Sequence, residues 1–257
     1  MKTSFLRLVL SLVLTASALS SHAGWLDKLK SALSSTNTTV ATSTLTPDQM
    51  AGGLKEALSK GVEKAVASLG RENGFLTNLN VKIPMPEKLQ TVEKGLRAVG
   101  QNQLAEDFVR SMNRAAEQAV PVAAGVFGDA IKQMSIADAR SILAGPDDAA
   151  TQFFRRTTQT NLHAKFYPIV QKATDQVGVT AQYKQMTGKL AAAESLGALF
   201  GKSPATKLGA ADIDAYVTDE ALDGLFKLVA EEEKNIRANP LARTSELLQK
   251  VFGSATK

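Results

Sequence analysis

The chain has 257 residues, with 30 Lys and Arg against 25 Asp and Glu, and it contains no cysteine. Without cysteine it can form neither a disulfide nor a thiolate metal site, and no cysteine is present to carry a lipid. Aromatic residues make up only 5% of the sequence and the basic residues are interleaved with acidic ones, so we expect no nucleic-acid partner.

The first 23 residues have the pattern of a secretory signal peptide. Lys2 and Arg7 flank the start of an apolar run, and the segment ends at the small residue Ala23. The run is too short to span a bilayer as a helix. We therefore expect cleavage after Ala23 and a mature protein, residues 24–257, that is soluble in the periplasm and has no integral membrane span.

A polar segment separates the predicted signal peptide from the rest of the mature chain. Residues 24–33 have the pattern of a short amphipathic helix, whereas residues 34–45 are rich in Ser and Thr and poor in large apolar side chains. We expect the second of these segments to be a flexible tether. Residues 46–257 then form a single helical domain, which is long enough to bury a core without disulfides.

The clearest predicted helix begins at Thr46. The Thr46 hydroxyl can cap the helix, Pro47 suits the first helical position, and the side chain of Gln49 can reach back to the cap. Apolar residues then recur at spacings of three and four until Gly70, where we expect the helix to end.

Helical periodicity also dominates the sequence beyond this first helix. In the first half we predict a helix at 89–96 that ends before Gly100, one at 104–119 that Pro121 ends or kinks, and one that Ser135 with Asp138 caps and that ends at Gly145. Next come a helix capped by Asp147 and Asp148 and a segment at 162–173 that is broken or kinked at Pro168. The last two predicted helices are one that begins at Thr218 and a C-terminal one at 247–252. Only residues 79–85 alternate at period two, and their prolines restrict them to an edge or an isolated extended run. We predict a mainly α fold, a multi-helix bundle with at most a minor extended or β element near residues 79–85.

The sequence offers few groups for catalysis or metal binding. His163 is the only histidine after the predicted cleavage, and it cannot build a zinc site without cysteine; no calcium-binding loop is present either. No nucleophile motif lies near His163, so we expect it to be structural. The acid pairs Asp147 with Asp148 and Asp212 with Asp214 stand at expected helix starts, where capping explains them better than hydrolysis. We expect no catalytic residue, no metal and no cofactor.

One acidic residue falls on a predicted core-facing stripe. On a helix spanning residues 218–237, Glu233 lies near the centre of the apolar face, with Arg237 one turn further on. A buried unpaired carboxylate is costly. Glu233 therefore either pairs with Arg237 and Arg243 or marks a site for a polar ligand or partner. Alternatively, the end of the helix protrudes and the pair is an ordinary surface couple.

Asn113 and Glu117 are weaker binding candidates. They lie on a helix whose apolar arc covers about half of its circumference, and Glu117 shares the remaining strip with Glu106 and Arg110. This pattern indicates a central helix with one solvated or salt-bridged edge.

A series of short motifs runs through residues 46–253. In the first half these are Gly74-Phe75, Ile83-Pro84-Met85-Pro86, Asn113-Arg114-Ala115-Ala116-Glu117, Met134 with Asp138-Ala139, Ile142-Leu143-Ala144-Gly145 and Ala149-Ala150-Thr151. In the last third they are Tyr216-Val217-Thr218, Ala221-Leu222-Asp223-Gly224-Leu225-Phe226, Glu232-Glu233 with Ile236-Arg237, Asn239-Pro240, Arg243-Thr244 and Val251-Phe252-Gly253. In this order they resemble a bacterial family known as domain of unknown function 4197.

The resemblance implies an exported, mainly helical protein of Gram-negative bacteria without an assigned activity. Many members look like lipoproteins, whereas this chain has no cysteine. That difference favours a free periplasmic protein. The family pattern also includes residues like Glu233, Arg237 and Arg243.

Export, the lack of catalytic groupings and the tether favour a non-enzymatic binding or interaction domain, whose partner is an unknown periplasmic protein or a small ligand. Two alternatives stay open, a carboxylate-based hydrolase and a holdase-type periplasmic chaperone. A pocket that gathers several acids with room for a substrate favours the hydrolase, whereas an apolar cavity or groove with one charged pair favours binding. A chaperone needs an exposed apolar concavity.

Overall fold

The computed structural model describes residues 45–176 and 210–238 and, outside these ranges, residues 178, 179, 181, 182, 185, 186 and 251. This part of the chain is helical and contains no β-strand, which confirms the predicted mainly α fold. The helices are α1 (Pro47–Leu69), α2 (Gln90–Ala98), α3 (Asn102–Ala119), α4 (Ala123–Gln133), α5 (Ile136–Ala144), α6 (Ala149–Gln176) and α7 (Ala210–Ala238), with 3₁₀ turns at Glu87–Leu89 and Val120–Val122.

Some predictions lie outside the described residues. These are the signal peptide, the amphipathic segment and tether, Arg243, and the C-terminal helix apart from Val251.

Two helix starts match the local sequence signals. At α1, the Gln49 N–H donates to the Thr46 hydroxyl at 3.2 Å and the Thr46 N–H donates to the Gln49 side chain at 2.9 Å, with Pro47 at the start of the helix. At α5, Ser135 and Asp138 form the same reciprocal pair, with both backbone bonds at 3.1 Å. The predicted capping box at Thr46 and the predicted cap by Ser135 with Asp138 are both confirmed. Local sequence predicts them because all of their groups lie within four residues of each other.

The two internal prolines have different effects. The helix α3 ends at Ala119, and Pro121 lies in the 3₁₀ turn that follows, as predicted. By contrast, α6 runs unbroken through Pro168, so of the predicted break or kink the break is wrong and the kink stays a prediction. Phe166 and Val170 on either side of Pro168 are fully buried. Their packing holds the helical path although the proline removes one backbone hydrogen bond.

The last described helix begins earlier than predicted. It starts at Ala210 rather than at Thr218, so Thr218 lies within α7. The buried Thr218 hydroxyl donates to the Asp214 carbonyl one turn earlier, at 2.7 Å. A threonine that bonds back to its own helix in this way does not act as a cap.

The segment from residue 71 to residue 86, here called the strap, joins α1 to the 3₁₀ turn before α2. It is extended in its second half, but no strand pairs with it in the described part of the chain. Alternate side chains nevertheless point inward, as the period of two predicts. Those that are buried are Val81, Ile83 and Met85, and those that are exposed between them are Lys82 and Pro84.

The core lies where α6 and α7 pack along each other and against α1 and α3. Its centre contains Phe127 of α4, whose ring meets the rings of Phe154 and Phe226 edge to face, at centroid distances of 4.9 and 5.9 Å. The long helices are therefore parts of a helical core. Within the described residues, no helix combines the length and the apolar character needed to cross a lipid bilayer.

Candidate functional site

Glu233 of α7 lies buried against the start of α6. Its Oε1 accepts a hydrogen bond from the Ala150 N–H, and its Oε2 accepts bonds from the N–H and the hydroxyl of Thr151, all at 2.9 Å. The carboxylate thus caps the positive end of α6 from another helix. The predicted capping of this helix by the side chains of Asp147 and Asp148 is wrong, since both residues are exposed and neither carboxylate accepts a backbone N–H of α6.

Arg237 extends this contact to the end of α5. Its guanidinium donates twice to Glu233 Oε1, at 2.9 and 3.1 Å, and once to the Ile142 carbonyl, at 2.8 Å. The side chains of Glu233 and Arg237 are 4% and 13% exposed, so the pair is buried rather than a surface couple. We call these two residues the corner clamp, because they hold the end of α5 and the start of α6 together.

Asn113 of α3 holds the strap as a neighbouring strand would. Its Oδ1 accepts from the Ile83 N–H at 2.9 Å, and its Nδ2 donates to the Ile83 carbonyl at 2.8 Å and to the Val109 carbonyl at 2.7 Å. Asn113 is fully buried. One side chain therefore satisfies both backbone groups of a residue that has no strand partner.

Glu117, one turn further along α3, anchors the start of the strap. Its carboxylate accepts from the Phe75 N–H at 3.3 Å and from the Arg114 guanidinium at 3.1 Å. The sequence predicts a solvated or salt-bridged edge on α3. Glu106 and Arg110 are exposed, whereas Glu117, which pairs with Arg114, is only 2% exposed because the strap covers it. The contacts described for Asn113 and Glu117 are all to the protein itself; a ligand at these residues stays a prediction.

An open cleft of about 850 Å³ lies between α6 and α7. A second cleft of about 570 Å³ continues from it to the strap. The two clefts share Arg155 of α6 and Asp223 of α7, and we call them together the α7 groove. Its remaining charged or titratable side chains are Lys82, Arg156, His163, Asp219, Glu220 and Lys227.

The α7 groove carries charged side chains of both signs, and two of them form an ion pair. The Arg155 guanidinium donates to Asp223 at 3.0 Å and lies over the Phe226 ring at 4.5 Å. Lys227 donates to the Asn80 carbonyl of the strap at 2.9 Å. A ligand in the groove therefore meets both positive and negative groups.

Glu220 is an acid of the α7 groove whose protonation is affected by its surroundings. Partial burial raises the pKa of its carboxyl, and the carboxylates of Asp223 and Asp219 raise it further, whereas Lys227 opposes the shift. A carboxyl of this kind holds its proton to higher pH than an ordinary Glu side chain does.

His163 lies on the wall of the α7 groove. Its Nε2 is 3.5 Å from Asp219 Oδ1, and its ring stacks on Tyr167 with centroids 6.1 Å apart. Nearly half of the His163 side chain is exposed. The structure places the residue on a helix face, as expected, but at a cleft rather than in the core.

The sequence reasoning missed the α7 groove. Its signal was a polar stripe on each of two helices, at Arg155, Gln159 and His163 and at Asp219 and Asp223, all with spacings of four residues. Within the described part of the chain, no group of three or more His, Asp or Glu could hold a metal ion.

Comparison with known proteins gives one match. No curated protein and no solved structure is significantly similar to the chain. A family model described as "Protein of unknown function (DUF4197)" matches residues 44–253 and so covers the strap, the corner clamp and the α7 groove. The chain therefore belongs to the DUF4197 family.

Proposed function

We propose that this protein is an exported periplasmic domain that acts by binding, and that the α7 groove receives the ligand. The observation that carries the proposal is the continuity of the two clefts, which share Arg155 and Asp223 and run from His163 to the strap. A groove of this length suits an extended ligand better than a compact one. Because its walls carry both signs of charge, we propose a polypeptide segment with acidic and basic side chains.

The state of the charged groups favours binding over catalysis. Asp223 forms an ion pair with the Arg155 guanidinium, and Asp219 lies beside the His163 ring. Both acids therefore already have a partner within the protein. The two acids are each 67% exposed. Catalytic sites gain from excluding water, whereas a site that exchanges protein ion pairs for ligand ion pairs can stay open to solvent.

Obstruction of the groove tests this proposal. Thr160 is exposed and lines the groove, so Thr160→Trp fills space without removing an internal contact that holds the fold. Lys165→Trp, also exposed on α6 but outside the groove, is the matched control. We expect mass spectrometry to find a peptide or protein that copurifies with the wild type and the control but not with Thr160→Trp. Identical copurifying sets for all three proteins contradict the proposal.

Export is a separate part of the proposal and has its own test. The signal pattern at residues 1–23 supports it. We expect cell fractionation to recover the protein in the soluble periplasmic fraction with Gly24 at its N-terminus. Recovery with Met1 intact in the cytoplasm or in the membrane pellet contradicts export.

A carboxylate-based hydrolase is the second candidate, and Glu220 favours it. Its raised pKa, beside the acids Asp219 and Asp223, is the pattern in which one carboxyl donates a proton while another stays ionised. We expect Glu220→Gln to abolish any hydrolysis of a panel of chromogenic glycosides and esters, whereas Glu63→Gln, exposed on α1, does not. Absence of turnover by the wild type across the panel removes this candidate.

No feature of the described residues favours the chaperone. The exposed large apolar side chains of the described residues are Leu79 in the strap, Val99 after the end of α2 and Ile136 at the start of α5, three separate parts of the chain. A holdase needs such side chains on one continuous surface.

A further inference from the structure

Another cleft borders the strap and shares its exposed Lys82 and Pro84 with the α7 groove, but Arg155 and Asp223 do not line it. It has a volume of about 530 Å³ and is bounded by the strap, α2 and α3. Its apolar lining comes from Leu76 and Met85 of the strap and Val109 of α3, which are buried or half-buried. We call it the strap cleft. Its size is within the range of pockets for small organic molecules, and its lining suits an apolar ligand body.

Charged side chains line the strap cleft beside this apolar part. The acids among them, Glu93 and Glu106, both face Arg97: its guanidinium donates to Glu93 at 2.8 and 3.0 Å and lies 3.8 Å from Glu106. These acids are therefore already matched with a cation. Their charge therefore does not favour a cationic ligand.

The other two cations of the strap cleft are available to a ligand. Lys82 has no ion pair or hydrogen bond from its ammonium group within the described part of the chain. Arg110 pairs with Asp107 at 2.6 Å, three residues away on the same helix, and its side chain is 56% exposed. Exposed pairs of this kind contribute little stability, so Arg110 can exchange Asp107 for a ligand carboxylate at small cost.

The wall that carries Lys82 is fixed in advance. The adjacent Ile83 is held on both backbone groups by Asn113, and the Pro84 carbonyl accepts from the Tyr216 hydroxyl at 3.2 Å. A ligand therefore does not have to order the strap when it binds. Preorganisation of this kind favours affinity.

We propose that the strap cleft binds a small organic carboxylate with an apolar body, such as a medium-chain fatty acid. The apolar part lies on Leu76, Met85 and Val109, and the carboxylate accepts hydrogen bonds from Lys82 and Arg110. The strap cleft shares Lys82 and Pro84 with the α7 groove but not Arg155 or Asp223, and the proposal does not depend on the function proposed for the groove.

The test uses the full mature protein and three probes that share one chain length: decanoate, decan-1-ol and decyltrimethylammonium. Isothermal titration is done with the wild type, with Lys82→Gln combined with Arg110→Gln, and with Lys88→Gln as control. Lys88 is exposed and does not line the cleft. Loss of charge-assisted hydrogen bonds predicts at least a tenfold rise in the Kd for decanoate in the double variant and none in the control.

Three results overturn the proposal. The first is that decanoate does not bind the wild type more tightly than decan-1-ol or the ammonium probe. The second is that Lys88→Gln raises the Kd for decanoate as much as the double variant does. The third is that the wild type sediments with phosphatidylglycerol vesicles in a manner that needs Lys82 and Arg110 but does not bind free decanoate, which assigns these cations to a lipid surface instead.

Discussion

Glu233 and Thr151 are 82 residues apart in the sequence, and two hydrogen bonds of 2.9 Å join them, one from the Thr151 N–H and one from its hydroxyl. The cap of α6 is thus a side chain of α7. Ordinary caps come from the residue that precedes the helix. Here the same carboxylate also carries the ion pair with Arg237, so one buried group supports a helix start and a charge pair.

Removal of the Glu233 carboxylate should destabilise the protein strongly. Glu233→Ala leaves the N–H groups of Ala150 and Thr151 and the Arg237 guanidinium without their partner, and we expect a loss of about 3 kcal/mol in the free energy of unfolding. This loss is measured by urea unfolding monitored with circular dichroism. Lys234→Ala, exposed on the same helix, should cost under about 1 kcal/mol.

A double-mutant cycle separates the ion pair from the cap. Arg237→Ala alone also removes the bond to the Ile142 carbonyl, so only the coupling between the two substitutions reports on the pair. We expect a coupling of at least about 1 kcal/mol for this buried pair. Single variants that both unfold like the wild type, with no coupling, contradict the corner clamp.

Asn113 should be essential for the position of the strap. Asn113→Ala leaves the N–H and the carbonyl of Ile83 buried without partners, and we expect a loss of about 2–4 kcal/mol. Hydrogen exchange at the Ile83 amide should accelerate in the same variant. Gln118→Ala, exposed on α3, is the control, and similar losses in both variants would speak against a specific anchor.

Two glycines give a matched test of helix packing. A Cβ at Gly224 would lie 2.8 Å from a ring carbon of Phe75 and 3.2 Å from Val81 Cβ, so Gly224→Ala should cost about 1–3 kcal/mol. At Gly61 the nearest atoms, in Glu232 and Ile236, are 3.6 Å away. Gly61→Ala should be neutral or stabilising by up to about 1 kcal/mol, because alanine favours the helix. Thermal unfolding of both variants measures the difference; equal effects would be inconsistent with this packing.

Asp214 should make stability depend on pH. Burial raises the pKa of its carboxyl; the Thr174 hydroxyl, which donates to it at 2.6 Å, partly opposes the shift, and Asp175 adds to it. The folded state therefore keeps this proton to higher pH than the unfolded state, whose pKa is about 3.9. The stability contribution of Asp214 is fully present below that value and is lost as pH rises through the folded pKa.

Two variants check this dependence. In Asp214→Asn, the stability relative to the wild type should grow as pH rises from about 4 towards neutral. In Thr174→Val, the hydrogen bond that lowers the pKa is gone, so the titration should move to higher pH. Urea unfolding at a series of pH values measures the first effect, and NMR titration of the Asp214 carboxyl measures the second. A pH-independent difference between Asp214→Asn and the wild type would refute the assignment.

The sequence predicts best those features whose groups are close together along the chain. The capping boxes of α1 and α5 each lie within four residues, so their residue types alone indicate the contact. Glu233 is an intermediate case. Helical winding placed it on the core side of α7, but the winding contains no information about Ala150 or Thr151, which complete the contact.

Local signals failed where packing overrode them. Pro168 predicts a break or a kink, yet the burial of Phe166 and Val170 keeps α6 continuous. Thr218 predicts a helix start, yet its hydroxyl bonds back into a helix that already exists. The α7 groove was missed for a related reason: the polar stripes of α6 and α7 are visible in the sequence, but their adjacency follows from tertiary packing.

The cap that Glu233 of α7 provides for the start of α6 also affects the order in which the helices can fold. Ala150 depends on a carboxylate that lies 83 residues later in the sequence, so until α7 is in place its N–H has no protein acceptor and bonds to water. A chain that ends before α7 should therefore keep a frayed start of α6 however well its earlier helices pack. Long-range contacts of this kind slow folding, and here the last described helix completes the fold of the preceding one.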